Sequence, residues 1–187
     1  MSSHHIVLEK QEPALLIMSL EFNSEYFGQL LEWSPTIIVH APLYEYADSL
    51  GIKIDVVITP DADFACQHGT SIISSEKNPL EDGLKFLVGE QYPSVNIITD
   101  QFMVKDYSMY VDHINMVIYM ENKKIFPIRS GFSKWRAKGE QVLLLQEVKN
   151  LGISGLIPTS KHEFETEKDG FYTLNFEHDF IFIAETI

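Results

Sequence analysis

Lys53-Ile54-Asp55-Val56-Val57-Ile58-Thr59-Pro60-Asp61-Ala62-Asp63 is an apolar, β-branched strand that runs straight into two carboxylates. In open α/β sheets ligands bind beyond the carboxyl ends of the strands, so Asp61 and Asp63 stand where a site is expected. Hard oxygen ligands there can hold Mg²⁺ and, through it, the phosphates of a nucleotide. Asp and Pro also make solvated turns, and an acidic chain has acids to spare.

Outward from this stretch, short apolar runs alternate with segments whose apolar residues recur at helical spacing, the pattern of βα units around a mostly parallel sheet. Strands are expected at Ala14 to Ser19, Thr36 to His40, Ile54 to Ile58 and Val95 to Thr99. A helix is expected from Pro42 to Gly51, with Leu43, Tyr46, Ala47 and Leu50 on one face, Pro42 in its first turn and Gly51 as its stop. Asn23 or Ser24 can cap a second helix, Leu80, Leu84, Leu87 and Val88 mark a third, and a fourth begins near Asp106. From about Val117 short strands with turn signals take over, at 117–120, 124–128, 141–148, 153–157, 171–176 and 180–184. The expected organisation is therefore an α/β domain over residues 1–116 followed by an antiparallel β domain over 117–187.

With 187 residues and 45% hydrophobic content, the chain is long enough for real cores. Its formal charge of −13 argues against a sequence-independent grip on nucleic-acid backbones. The single cysteine, Cys66, permits no internal disulfide and suits a reducing compartment, with the cytoplasm as default. No apolar run approaches the roughly 20 residues of a membrane-spanning helix. Gly-rich phosphate loops, paired-cysteine zinc patterns and a Gly-x-Ser-x-Gly elbow are missing. His4 and His5, adjacent near the amino terminus, read as solvated.

Other residues are candidates for the same rim. Asp100, Lys105 and Asp106 follow the Val95 to Thr99 strand and share the rim if that strand is parallel to the others, although Asp106 equally suits a helix N-terminus. His40, closing its strand, can act as a base or ligand, or as a satisfied histidine against Pro42. The one locally basic segment, Phe132 to Gly139, reads as a solvated hairpin edge guarded by lysines.

Over essentially its whole length the chain resembles thiamine pyrophosphokinase. Residues 14–19, 36–40 and 51–58 look like the family's first strands and its approach to an acidic motif; Leu80 to Leu87 is similar to its "T-D-L-E-K-A-L" helix opening; Gly152 to Ser160 and Asp169 to Leu174 resemble its "S-L-x-P" and "G-L-x-Y-x-L" strands. The motifs that carry the family's chemistry depart from the pattern. His40-Ala41-Pro42-Leu43 stands for "D-G-G-A", and Asn78-Pro79 for "T-D". Asp61 and Asp63 take the places of "G-D-F-D-S" only with a one-residue insertion, and Phe102 to Tyr107 keeps Asp106 of "G-G-R-x-D-H" without its arginine.

The resemblance implies an α/β domain followed by a β-sandwich domain, a homodimer, and transfer of diphosphate from ATP to thiamine with Mg²⁺. Asp61 and Asp63 would be the metal ligands and, with Asp106, the catalytic set; His40, Asp100 and Lys105 would help to bind the cofactor. The lost carboxylates imply an alternative, a non-catalytic protein that binds a nucleotide or thiamine-like ring on the same scaffold. A purely structural subunit is the third reading.

Overall fold

A computed structural model of the chain describes residues 12–20 and 24–187. His4, His5 and the candidate cap Asn23 lie outside the described residues, as does the side chain of Ser24. The chain forms two compact units: one runs to Gln101 and includes Met109–Met116, the other comprises Phe102–Ser108 and Val117–Ile187.

In the first unit β1 (Ala14–Ile17), β2 (Ile37–His40), β3 (Val56–Thr59), β4 (Ser71–Ser74) and β5 (Ser94–Ile98) lie in the order β5-β1-β2-β3-β4, and every pairing is parallel. All four residues of β1 and all four of β3 are buried, as expected of strands covered on both faces. Asp55, just before β3, accepts the Ile37 N–H through Oδ2 at 2.9 Å and donates its own N–H to Ile37 O at 3.0 Å, which sets the register of β3 against β2. β4 escapes the sequence reading because Ser71-Ile72-Ile73-Ser74 is too short and polar to signal a strand; pairing with β3 creates it.

The helices are α1 (Ser24–Leu31), α2 (Tyr44–Ser49) and α3 (Pro79–Gly89). The segment expected to be helical from Pro42 opens instead as a 3₁₀ turn at Ala41–Leu43. Its tighter winding rotates the following face, so α2 buries Tyr44 and Ala47 while Tyr46 and Leu50 stand more than half exposed. Gly51, at φ +73°, ends the segment as anticipated. In α3, Leu84 and Leu87 are fully buried, and Gly83 sits so close to the sheet that a Cβ there would fall 2.9 Å from Ile58 Cδ1.

The second unit is antiparallel apart from the short α4 (Val104–Ser108). β6 (Asn115–Met120) crosses from the first unit into it, followed by β7 (Lys123–Ile128), β8 (Phe132–Arg136), β9 (Gln141–Leu144), β10 (Gly152–Ser154), β11 (Leu156–Pro158), β12 (Glu163–Thr166), β13 (Gly170–Asn175) and β14 (Ile181–Thr186). Six strands run in the order β11-β12-β9-β14-β7-β6, and a separate sheet holds β10-β13-β8. Tyr172, Leu174, Phe164, Val142, Ile181 and Ile183, drawn from both sheets, share one buried cluster.

The run expected as one strand from Ile153 to Ile157 is two. Gly155 adopts φ +72° with its missing Cβ only 2.6 Å from Phe171 O, and the chain turns there from one sheet to the other. The Phe132 to Gly139 segment is also corrected: most of it is β8, and Lys134 and Arg136 turn inward.

Candidate functional site

β2 and β3 end side by side at His40 and Thr59, and beyond their carboxyl ends opens a cleft of about 450 Å³. His40, Pro42, Pro60, Phe64, Ser75 and Pro79 line it, drawn from the loops after β2, β3 and β4 and from the start of α3. The cleft lies at the carboxyl ends of the strands, the end at which open parallel sheets bind ligands, though to one side of the β1–β5 switch point, and the volume falls within the usual range for small-molecule sites.

Each wall has a local cause. His40 keeps extended backbone (φ −69°, ψ 130°) before Pro42 enters the 3₁₀ turn. Burial pushes its imidazole below the ordinary histidine value, so it is neutral at physiological pH. After β3, the Asp61 N–H donates to Thr59 Oγ1 at 3.2 Å and the Asp63 N–H to Asp61 Oδ1 at 2.9 Å. The Asp61 carboxylate thus holds its own turn together, in the manner of an Asx turn. Phe64 meets the Tyr44 ring edge-on, with centroids 5.2 Å apart. Gln67 fastens the same loop: its side chain accepts the Ile54 N–H at 2.9 Å and donates to Ile52 O at 2.9 Å and Asp48 Oδ1 at 2.7 Å.

Ser75 is the polar point of the cleft. Its N–H extends the ladder by donating to Thr59 O at 3.0 Å, whereas its Oγ is buried with no hydrogen-bond partner, in a residue only 7% exposed. At the start of α3, Pro79 has no N–H, Asn78 Oδ1 accepts the Glu81 N–H at 3.2 Å, and Asn78 O accepts the Asp82 N–H at 3.0 Å.

Of the residues singled out from the sequence, His40 lines this cleft. Asp61 and Asp63 lie between its lining residues Pro60 and Phe64 but are themselves exposed. Asp100 is exposed beyond the carboxyl end of β5. Lys105, exposed, and Asp106, half-buried, belong to α4 in the second unit. Among the described residues no three His, Cys, Asp or Glu side chains form a group able to hold a metal ion. One Asp61 oxygen accepts the Asp63 N–H, and Pro60 and Pro79 in the cleft lining bring no side-chain ligand.

Sequence reasoning missed Ser75, Phe64 and Gln67. Ser75 follows a strand that has no signal of its own, and Gln67 acts through partners distributed along the chain.

A second polar cluster is buried in the antiparallel unit. Glu185, 1% exposed, accepts from Tyr172 Oη at 2.8 Å, from Lys134 Nζ at 2.6 Å and from Arg136, and Lys124 Nζ lies 3.7 Å away. Burial alone would push the Glu185 carboxyl up; the hydrogen bonds from Arg136, Lys134 and Tyr172 outweigh it and hold it below the usual carboxylate range. Burial, with the neighbouring carboxylate, pushes the Tyr172 phenol far up, so it stays a donor. Lys124 is lowered by burial and by the charges of Lys134 and Arg136. The alternation Ile181, Ile183, Glu185 carried this signal, since period two sets all three on one face.

A parallel α/β unit with a cleft at its strand ends, followed by an antiparallel unit, defines the class of the molecule: a mixed α/β fold. Solved structures sharing it include thiamine pyrophosphokinase from Bacillus subtilis, with a TM-score of 0.67 at 12% identity over 93% of this chain and 97% of that one. That from Candida albicans gives 0.67 at 11%, over 96% and 91%, and the yeast protein 0.65 at 10%, over 95% and 87%. No protein-family model matches the sequence, and no curated protein sequence does. The chain therefore has the thiamine pyrophosphokinase fold.

Proposed function

We propose that this is a thiamine pyrophosphokinase-like protein that keeps a small-ligand cleft on the shared scaffold while its metal-dependent diphosphate transfer is weakened or lost. One observation carries the reading: the cleft at the ends of β2 and β3 is walled by His40, Pro42, Pro60 and Pro79, where the resemblance calls for acids and glycines. Moving a diphosphate from ATP requires metal-held phosphates and an in-line acceptor. Proline rings at these positions supply neither charge nor backbone donors.

The reading extends to the rest of the molecule. The two antiparallel sheets of the second unit are taken as facing layers of a sandwich, a homodimer follows from the resemblance, and the cytoplasm remains the expected setting. Among the described residues no helix is long and apolar enough to cross a membrane.

The test incubates folded protein with thiamine, ATP and Mg²⁺ and measures thiamine diphosphate and AMP, alongside a thermal-shift series with thiamine and nucleotides. The expected result is turnover at or near the blank together with a ligand-dependent rise in unfolding temperature, since a ligand at 100 times its Kd adds about 2.7 kcal/mol of stability. Efficient turnover would restore the catalytic reading, with Asp61, Asp63 and Asp106 again its candidates.

A further inference from the structure

The lining of the cleft offers an anion no cation. None of the described residues lining it is Lys or Arg, and Glu76 lies on its wall. Asp82 and Glu81, the latter paired with Lys85 Nζ at 2.6 Å, occupy the first turn of α3, whose N-terminus would otherwise be freer to attract a phosphate. Pro79 removes one N–H from that turn, and Asn78 takes those of Glu81 and Asp82. A phosphate placed here would meet neighbouring carboxylates with no cationic side chain in the lining to offset them.

What the cleft does offer is flat and apolar. Pro42, Pro60, Pro79, Ile58 and the Phe64 ring form its walls. A neutral imidazole and one hydroxyl interrupt them, and that hydroxyl, Ser75 Oγ, is buried without a partner. A buried hydroxyl in a native fold is ordinarily hydrogen-bonded, so a group arriving in the cleft is the natural source of the missing bond.

We infer that the cleft takes a flat heteroaromatic ring carrying no phosphate, packed against the prolines and Phe64 and hydrogen-bonded by Ser75 Oγ. This rests on the cleft being the ligand site, and it goes further by assigning the chemical class and the anchoring residue.

The experiment compares adenosine with AMP and thiamine with thiamine monophosphate by calorimetry at millimolar concentration, on wild-type protein and on Ser75→Ala, with Ala41→Trp, at another residue lining the cleft, as a variant that fills it. At least one unphosphorylated ring should bind, with its phosphate ester about tenfold or more weaker. Ser75→Ala should weaken that ring by about tenfold through the lost hydrogen bond, while the ligand-free protein unfolds at the same or a higher temperature because an unpaired buried hydroxyl has gone. Should Ser75→Ala fail to fold, Ser75→Cys replaces it and is expected to show the same weakening. Binding of a phosphate ester as tight as its parent ring, or tighter, overturns the inference but leaves the cleft reading intact if Ala41→Trp abolishes it. Ring binding indifferent to both substitutions overturns the cleft reading itself. Binding by neither ring, or ring binding lost in Ala41→Trp yet unchanged in Ser75→Ala, also overturns the inference.

Discussion

Glu185 is the charged residue on which the second unit's interior turns. It is matched by Lys134, Arg136 and Tyr172, with Lys124 close by, so neutralising it leaves these cations facing one another with only Glu140, 3.8 Å from Arg136, as a counter-ion. Glu185→Gln should destabilise the protein by about 3–5 kcal/mol, read from its urea midpoint, as happens when one partner of a buried ion pair is removed. The pH dependence follows from the same geometry. Because the folded carboxyl titrates below its unfolded value of about 4.3, the stabilisation is present above that pH and is lost as the pH falls through the folded value. Unfolding free energy measured from pH 5 downward should fall more steeply for wild type than for Glu185→Gln. His40 adds a milder effect nearer neutrality. Burial favours its neutral form, so stability declines as the pH drops below about 6.5, and His40→Gln should flatten that limb.

Elements respond to backbone geometry more than to charge. Gly155 splits what would have been one strand, and neither its φ of +72° nor its 2.6 Å approach to Phe171 O tolerates a Cβ. Gly155→Ala should lose at least about 2 kcal/mol, measured by chemical denaturation. At the start of α3, Asn78→Ala removes a cap and should lower stability by about 1 kcal/mol. The regular elements were legible where a local pattern sufficed: the runs at 14–19, 36–40 and 95–99 all became buried strands, because continuous apolar segments have few other places to go. β4 and β12 were not legible, since each is four residues long and is held by pairing, β4 with β3 and β12 with both β11 and the more distant β9. The face of α2 was misjudged because a 3₁₀ start alters the phase of everything after it.

For the whole molecule, the shared scaffold and the altered cleft make separate statements, since a fold hosts a reaction only where its site residues permit. If Asp61 and Asp63 do not assemble a cation site, millimolar Mg²⁺ should leave the unfolding temperature unchanged relative to chelator; a rise would mean that the native state binds the ion.

The amino-acid sequence by itself determined the order of the βα units, the shift to antiparallel strands near Val117 and the acidic balance. Each arises from patterns a few residues long or from composition. Only the tertiary structure decided that Pro60, Ser75 and Pro79 gather around His40, and that Lys134 and Arg136 turn inward onto Glu185. Those neighbourhoods depend on strand order and register, which bring together residues too far apart along the chain for any local pattern to pair.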